Sequence, residues 1–224
     1  MRETWNKSVT LSYFQHRTLI GLLGMALPLL DVLAAILNAS EPMPTLSHYY
    51  YTNMRDVLTG ILFVTGFFLI SYIGPRPLDF IITTLAGASA LGVALFPCKE
   101  HENATERVGT FLFPGAESDP YHVAFAAAFF GLIALNAFLF MRRDRGRPAV
   151  PSWKRGLYLA CGLLILLCLG LLVLFTKLPD RALVDRFKLR FVLESIALGA
   201  FSLSWFAKGD TIRRIIAGSR RRNP

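Results

Sequence analysis

The sequence predicts an all-α membrane protein, a six-transmembrane-helix bundle with both the N and C termini cytoplasmic. Three observations carry that prediction. Of 224 residues, 54% are hydrophobic and only 17% charged, where soluble domains carry roughly 25% charged residues; mean hydropathy is +0.46. Six apolar stretches each approach the ~20 residues that a helix needs to cross a bilayer core. Of the 24 lysines and arginines, 16 fall in the N-terminal segment, the second and fourth connections and the C-terminal tail. The basic side of a polytopic protein is cytoplasmic.

The six helices are expected at about 18–37, 55–73, 78–96, 122–141, 156–176 and 189–207, in one domain spanning 1–224 with a basic tail over 208–224. The first run is longer than the 7–15 apolar residues usual in a signal peptide and carries Asp31, so it reads as a retained helix. The "WNKSVTLSYFQHR" before it mixes aromatic and basic residues like an interfacial anchor. Pro75 and Pro77 in "GPRP" force a tight connection between helices two and three. Helix three, with "LAGASALGVALF", is rich in the small residues that allow close helix packing. Asp119 and Pro120 read as the start of helix four, an N-cap followed by proline. Three cysteines make no disulfide framework; Cys161 and Cys168 lie in an apolar run, where a thiol acts as a small hydrophobe. The formal charge of +9 is accounted for by topology and contact with anionic membrane lipids, and no nucleic-acid partner is expected.

With termini inside, helices two, four and six start at the outer surface. Arg55 and Asp56 open helix two, His122 opens helix four, and Glu194 lies just beyond the start of helix six. Asp31 is about 10 Å below the outer end of helix one, at 1.5 Å per residue. These five residues share one layer, and the inner half offers mostly Ser and Thr with Asn136. An ionised side chain at the centre of a membrane helix costs about 2.5–3.5 kcal/mol on insertion scales, so such groups face one another or a wet cavity. Tyr49, Asn53, Asp56 and Gly60 repeat at helical spacing, which puts a hydroxyl, an amide and a carboxylate on one face with room beneath them. Blander readings stand beside this one. The tyrosines of "SHYYY" suit an aromatic belt, Arg55 and Asp56 a surface ion pair, and Arg190 a partner for Glu194. Asp31, three residues after Pro28, could satisfy a backbone group that the proline frees.

The layer suits recognition of a lipid or small amphipathic ligand. Asp56 and Glu194 would be the central acids, Arg55 the anion partner, Tyr49 a wall with a hydroxyl, and His122 a hydrogen-bonding or metal-ligating group. The alternative is a metal-dependent intramembrane lipid hydrolase. Zinc, the possible cofactor, takes three protein ligands and a water, and His122, Asp56, Glu194 and His48 are the candidates, with His101 and Cys98 nearby. No HExxH or HxxxH spacing supports it. Proton-coupled transport is a third class, without an inverted repeat in its favour. Ser47 adjoins His48, but neighbours in sequence rarely point together, so a serine nucleophile is not expected.

Five stretches carry a resemblance: "IGLLGMALPLL", "LSHYYYTNMRDVLTGILFVTGFFLISY", "LGVALFP", "YHVAFAAAFF" and "LESIALGAFSLSWFAKG". On these the chain resembles a widespread group of uncharacterised bacterial six-helix integral membrane proteins. The resemblance implies a multi-pass protein of the bacterial inner membrane. More distantly the architecture is similar to Frag/DRAM-type six-helix proteins. A looser likeness is to the CREST membrane hydrolases, which combine serine, aspartate and histidines around a metal; six helices instead of seven, and no paired histidines in the last, set this chain apart from them.

Overall fold

In a computed structural model, residues 2–38, 40–74, 76–99, 107–144, 151–178 and 182–209 are described. The described residues are all-helical but for one short hairpin. Its order is α1 (Arg2–Leu37), a 3-10 helix (Leu46–Tyr51), α2 (Arg55–Ile70), α3 (Pro77–Leu95), β1 (Arg107–Val108), β2 (Phe113–Pro114), α4 (Gly115–Asp144), α5 (Ser152–Lys177), the short α6 (Ala182–Arg186) and α7 (Leu189–Lys208). The long helices form a closed ring: each packs on the next, α7 packs on α5, and α7 meets α1 to close it. Neighbours run antiparallel. Arg17 in α1 reaches the last residue of α7, donating to the Lys208 carbonyl at 3.1 Å, while Asp31 lies at the other end of α1, close to Glu194 at the start of α7.

Five helices are long and apolar enough to cross a membrane: residues 15–37 of α1, and all of α3, α4, α5 and α7. The remaining stretch, the second in the chain, is shorter than expected. It holds 16 helical residues, ending at Ile70 instead of residue 73, about 24 Å at 1.5 Å per residue against a core of ~30 Å. Leucines all around the outside of the ring, such as Leu29, Leu163, Leu167 and Leu174, are exposed. In a water-soluble fold an apolar girdle of this size would be an aggregation hazard; around a membrane bundle it is the lipid-facing surface.

Two kinds of packing hold the ring. Between α2 and α3 the backbones nearly touch: a Cβ on Gly87 would lie 2.5 Å from the Gly66 carbonyl oxygen. The small residues of helix three thus serve the close packing that the sequence suggests. Elsewhere aromatic rings fill the centre. Trp205 is fully buried and meets Tyr72 and Phe140 edge-on, with centroids 4.9 and 5.4 Å away. Such pairs add about 0.5–1.5 kcal/mol each beyond their buried area.

Several expectations need correction. Helix four begins at Gly115, more than a turn ahead of residue 122. Asp119 therefore does not cap it; its carboxylate instead accepts the Lys99 backbone N–H at 2.8 Å, and Pro120 sits within the helix. Pro77 does open α3, at the first helical position; Pro75, His101 and the tail from residue 210 lie outside the described residues. The half of the bundle expected to hold mostly Ser and Thr with Asn136 carries a buried ionic network. Asp79 pairs with Arg143, Lys208 donates to Asp144 at 2.9 Å, and Arg17 donates to the Tyr72 hydroxyl at 2.9 Å. On the sequence Arg17, Arg143 and Lys208 look like topology signals at helix ends. Packing draws them inward, because each finds an opposite charge or a ring on a neighbouring segment.

Candidate functional site

The 3-10 helix closes the end of the ring opposite this network. Residues 46–51 are "LSHYYY", and each finds a partner. The Leu46 N–H donates to the Glu194 carboxylate at 2.7 Å, and Ser47 Oγ is 2.9 Å from His122 Nε2. His48 Nδ1 lies 2.6 Å from Thr45 Oγ1 and 4.0 Å from Cys98 Sγ. The Tyr49 hydroxyl donates to the Asp31 carbonyl at 3.1 Å, the Tyr50 hydroxyl accepts from Arg55 at 3.0 Å, and the Tyr51 hydroxyl donates to the Cys98 carbonyl. Three residues per turn point successive side chains in three directions, which is how so short a segment touches α1, α2, α4, α7 and the chain after α3. Thr45 caps it, accepting the His48 N–H through Oγ1 at 3.2 Å.

Under this lid lies a polar pair. Asp31 is fully buried, and neither carboxylate oxygen has a hydrogen-bond partner among the described residues. Glu194 faces it closely enough for their charges to act on one another, and Arg190, one turn back on α7, acts on Glu194 in the opposite sense. Arg190 reaches Asp185 at only 4.0 Å, and its Nε and Nη2 atoms lack hydrogen bonds among the described residues. If both acids are ionised, this group carries one net negative charge. Tyr49 stands beside Asp31. Burial pushes its phenol above the ordinary tyrosine range, despite its contact with the Met43 backbone, and the nearby Asp31 adds to the rise. Tyr49 therefore stays protonated at neutral pH and remains a donor.

Beside this pair stands a second arrangement. His122 Nδ1 lies 2.7 Å from the Phe96 carbonyl oxygen. A carbonyl only accepts, so Nδ1 carries the hydrogen, and in the neutral ring Nε2 presents its lone pair to the Ser47 hydroxyl.

The structure thus unites Asp31, Tyr49 and Glu194 and puts His122 next to them through Ser47. It leaves two expected members out. Arg55 and Asp56 are both exposed, with Arg55 lying over the Tyr50 ring at 4.5 Å. Tyr49, Asn53 and Asp56 do not share a helical face, because the 3-10 helix ends at an extended Thr52 (φ −118°, ψ 177°) and α2 starts anew at Arg55. Gly60 is exposed, with nothing within 4 Å of the point where a Cβ would stand, so no neighbour approaches it. Asp31 does not satisfy a backbone group freed by Pro28, since its oxygens are unpaired among the described residues. The serine pairing was missed in the sequence: Ser47 meets His122, not the adjacent His48, and 75 residues of separation hide that contact from any spacing rule. Among the described residues no three His, Cys, Asp or Glu side chains come together to hold a metal. The zinc candidates do not converge, with His122 turned to Ser47 and Phe96, Glu194 bound to the Leu46 N–H, and Asp56 outside. No model of a known protein family, no curated protein and no solved structure matches the chain.

Proposed function

We propose that this protein lies in a bacterial inner membrane with the lidded end outward, all six long helices crossing, and recognises the headgroup of an amphipathic molecule beneath the lid. One observation carries the reading: the Asp31 carboxylate, fully buried and without a hydrogen bond among the described residues. An unpaired carboxylate in a low-dielectric site costs several kcal/mol, and a bound donor removes that cost. With Glu194 opposite and Arg190 acting on Glu194, two acids to one cation, the group favours a ligand carrying positive charge, an amine before an anion. The exposed leucine girdle would hold the apolar part.

Bound lipid tests this. The detergent-purified protein and its Asp31→Asn variant would have their co-purifying lipids measured by mass spectrometry against the bulk membrane. Amine-bearing lipids enriched several-fold in the wild type, with the enrichment gone in the variant, support the reading. A bound-lipid profile equal to bulk in both proteins sinks it. Proton-coupled transport is less favoured. Acids exist at both ends, but the buried rings of Phe129, Phe201, Trp205 and Phe140 stand between them.

A further inference from the structure

We propose that Ser47 is a nucleophile and His122 its general base, and that this end of the bundle transfers or hydrolyses the acyl group of an ester-bearing amphiphile. The inference rests on the amphiphile-binding reading for its substrate, but its own support is separate.

Three features of the geometry point to it. The Ser47 hydroxyl and His122 Nε2 are 2.9 Å apart, within the reach proton transfer needs. The Phe96 carbonyl at 2.7 Å from Nδ1 fixes the tautomer that leaves Nε2 free to accept, the role an orienting third group fills in serine catalysis. The histidine is buried while the serine is only partly so, which leaves the nucleophile approachable and shields its base from water. A place for an acyl chain adjoins them. Phe96, whose carbonyl holds His122, also centres an aromatic shelf: its ring lies 5.3–5.6 Å from those of Phe111, Tyr121 and Phe125, and 6.3 Å from a stacked Phe113. Phe111, Phe113 and Tyr121 are exposed. Gly92 makes room for the shelf, since a Cβ there would run into the Phe125 ring.

The reaction balances with water or a second alcohol as the only co-reactant. His122 Nε2 takes the Ser47 proton as Oγ bonds to the ester carbonyl carbon. The bond to the leaving oxygen breaks, and the imidazolium returns the proton to that oxygen, releasing an alcohol and leaving an acyl-serine. Water or the acceptor alcohol then gives its proton to Nε2 and attacks the acyl carbon. The bond to Oγ breaks, and Ser47 regains its hydrogen.

The test is a fluorophosphonate bearing an alkyl chain, a reagent that bonds to activated serines, applied to the full-length protein in mild detergent. The adduct is mapped by mass spectrometry. The wild type should carry it on Ser47, Ser47→Ala should carry none there, and His122→Gln should react at least about 100-fold more slowly, as loss of a general base implies. Wild-type protein that gives no Ser47 adduct while folded, or labels no faster than after heat denaturation, overturns the proposal. So does a His122→Gln protein that is folded by size exclusion and reacts at the wild-type rate. Should His122→Gln fail to fold, the wild-type adduct and its loss on heating decide alone. The probe carries no amine, so it reports on Ser47 whether or not the bound-lipid comparison at Asp31 succeeds.

Discussion

Asp31 sits in an apolar helix with both oxygens unpaired among the described residues, and no local feature of α1 asks for a carboxylate there. Asp31→Asn should raise the thermal midpoint of the protein in lipid-free detergent, because an amide at the centre of a membrane helix costs less than an ionised acid, itself about 2.5–3.5 kcal/mol. A melting curve checks this. A clear fall would mean that Asp31 holds a structural partner and is no ligand site. Asp79 is the contrasting acid at the other end. It is paired with Arg143 and accepts the Arg76 N–H at 3.2 Å. Asp79→Asn or Arg143→Gln alone should each destabilise by about 3–5 kcal/mol, the cost of leaving one buried charge without its partner. The double variant should lose less than the sum, and additive losses would show that the two are not coupled.

At the scale of elements, glycines separate contact from mere flexibility. Gly87→Ala should destabilise the α2–α3 pair, since the new Cβ has backbone, not a movable side chain, 2.5 Å away. Gly60→Ala, in open space on α2, should stabilise by about 0.5–1 kcal/mol through helix propensity. Unfolding in mixed detergent would measure both, and equal signs would mean that α2 and α3 can part at little cost. Helix positions were legible in the sequence, for a membrane helix announces itself by length and hydropathy. The 3-10 helix and the hairpin were not. "LSHYYY" has no apolar period, and two-residue strands leave none. What fixes the 3-10 helix is contact with five other parts of the chain, such as the Leu46 N–H donating to the Glu194 carboxylate at 2.7 Å.

For the whole molecule, the ring has two unlike ends: one lidded, with an excess of acid beneath the lid, and one closed by cations and aromatic rings. Lys208 Nζ lies 5.1 Å from the Phe140 ring and 5.8 Å from that of Tyr158, and Arg17 stacks near Tyr72. By the basic-side rule the second end is predicted to face the cytoplasm. Accessibility checks this directly. In a background with Cys98, Cys161 and Cys168 replaced, a cysteine at exposed Ala116 should react with an impermeant maleimide on intact cells. One at exposed Arg142 should react only after permeabilisation. The reverse pattern would invert the protein and place the Ser47–His122 pair on the inside.

Composition, hydropathy and charge by themselves determined that this is a helical membrane protein, roughly where its helices run, and that Asp31, Tyr49, His122 and Glu194 belong to one end. Those are properties of single segments and of their order, since antiparallel helices of bilayer length bring alternate ends to one level. Which residues of that level touch one another was decided only by the tertiary structure. A break at Thr52 turned Asp56 outward and Tyr49 inward, and the lid set Ser47 on His122 across 75 residues. The same packing gathered Arg143 and Lys208, counted in sequence as topology signals, into buried pairs with Asp79 and Asp144. Side-chain direction depends on helix phase and on the neighbour that each face meets, and both are properties of the assembled ring.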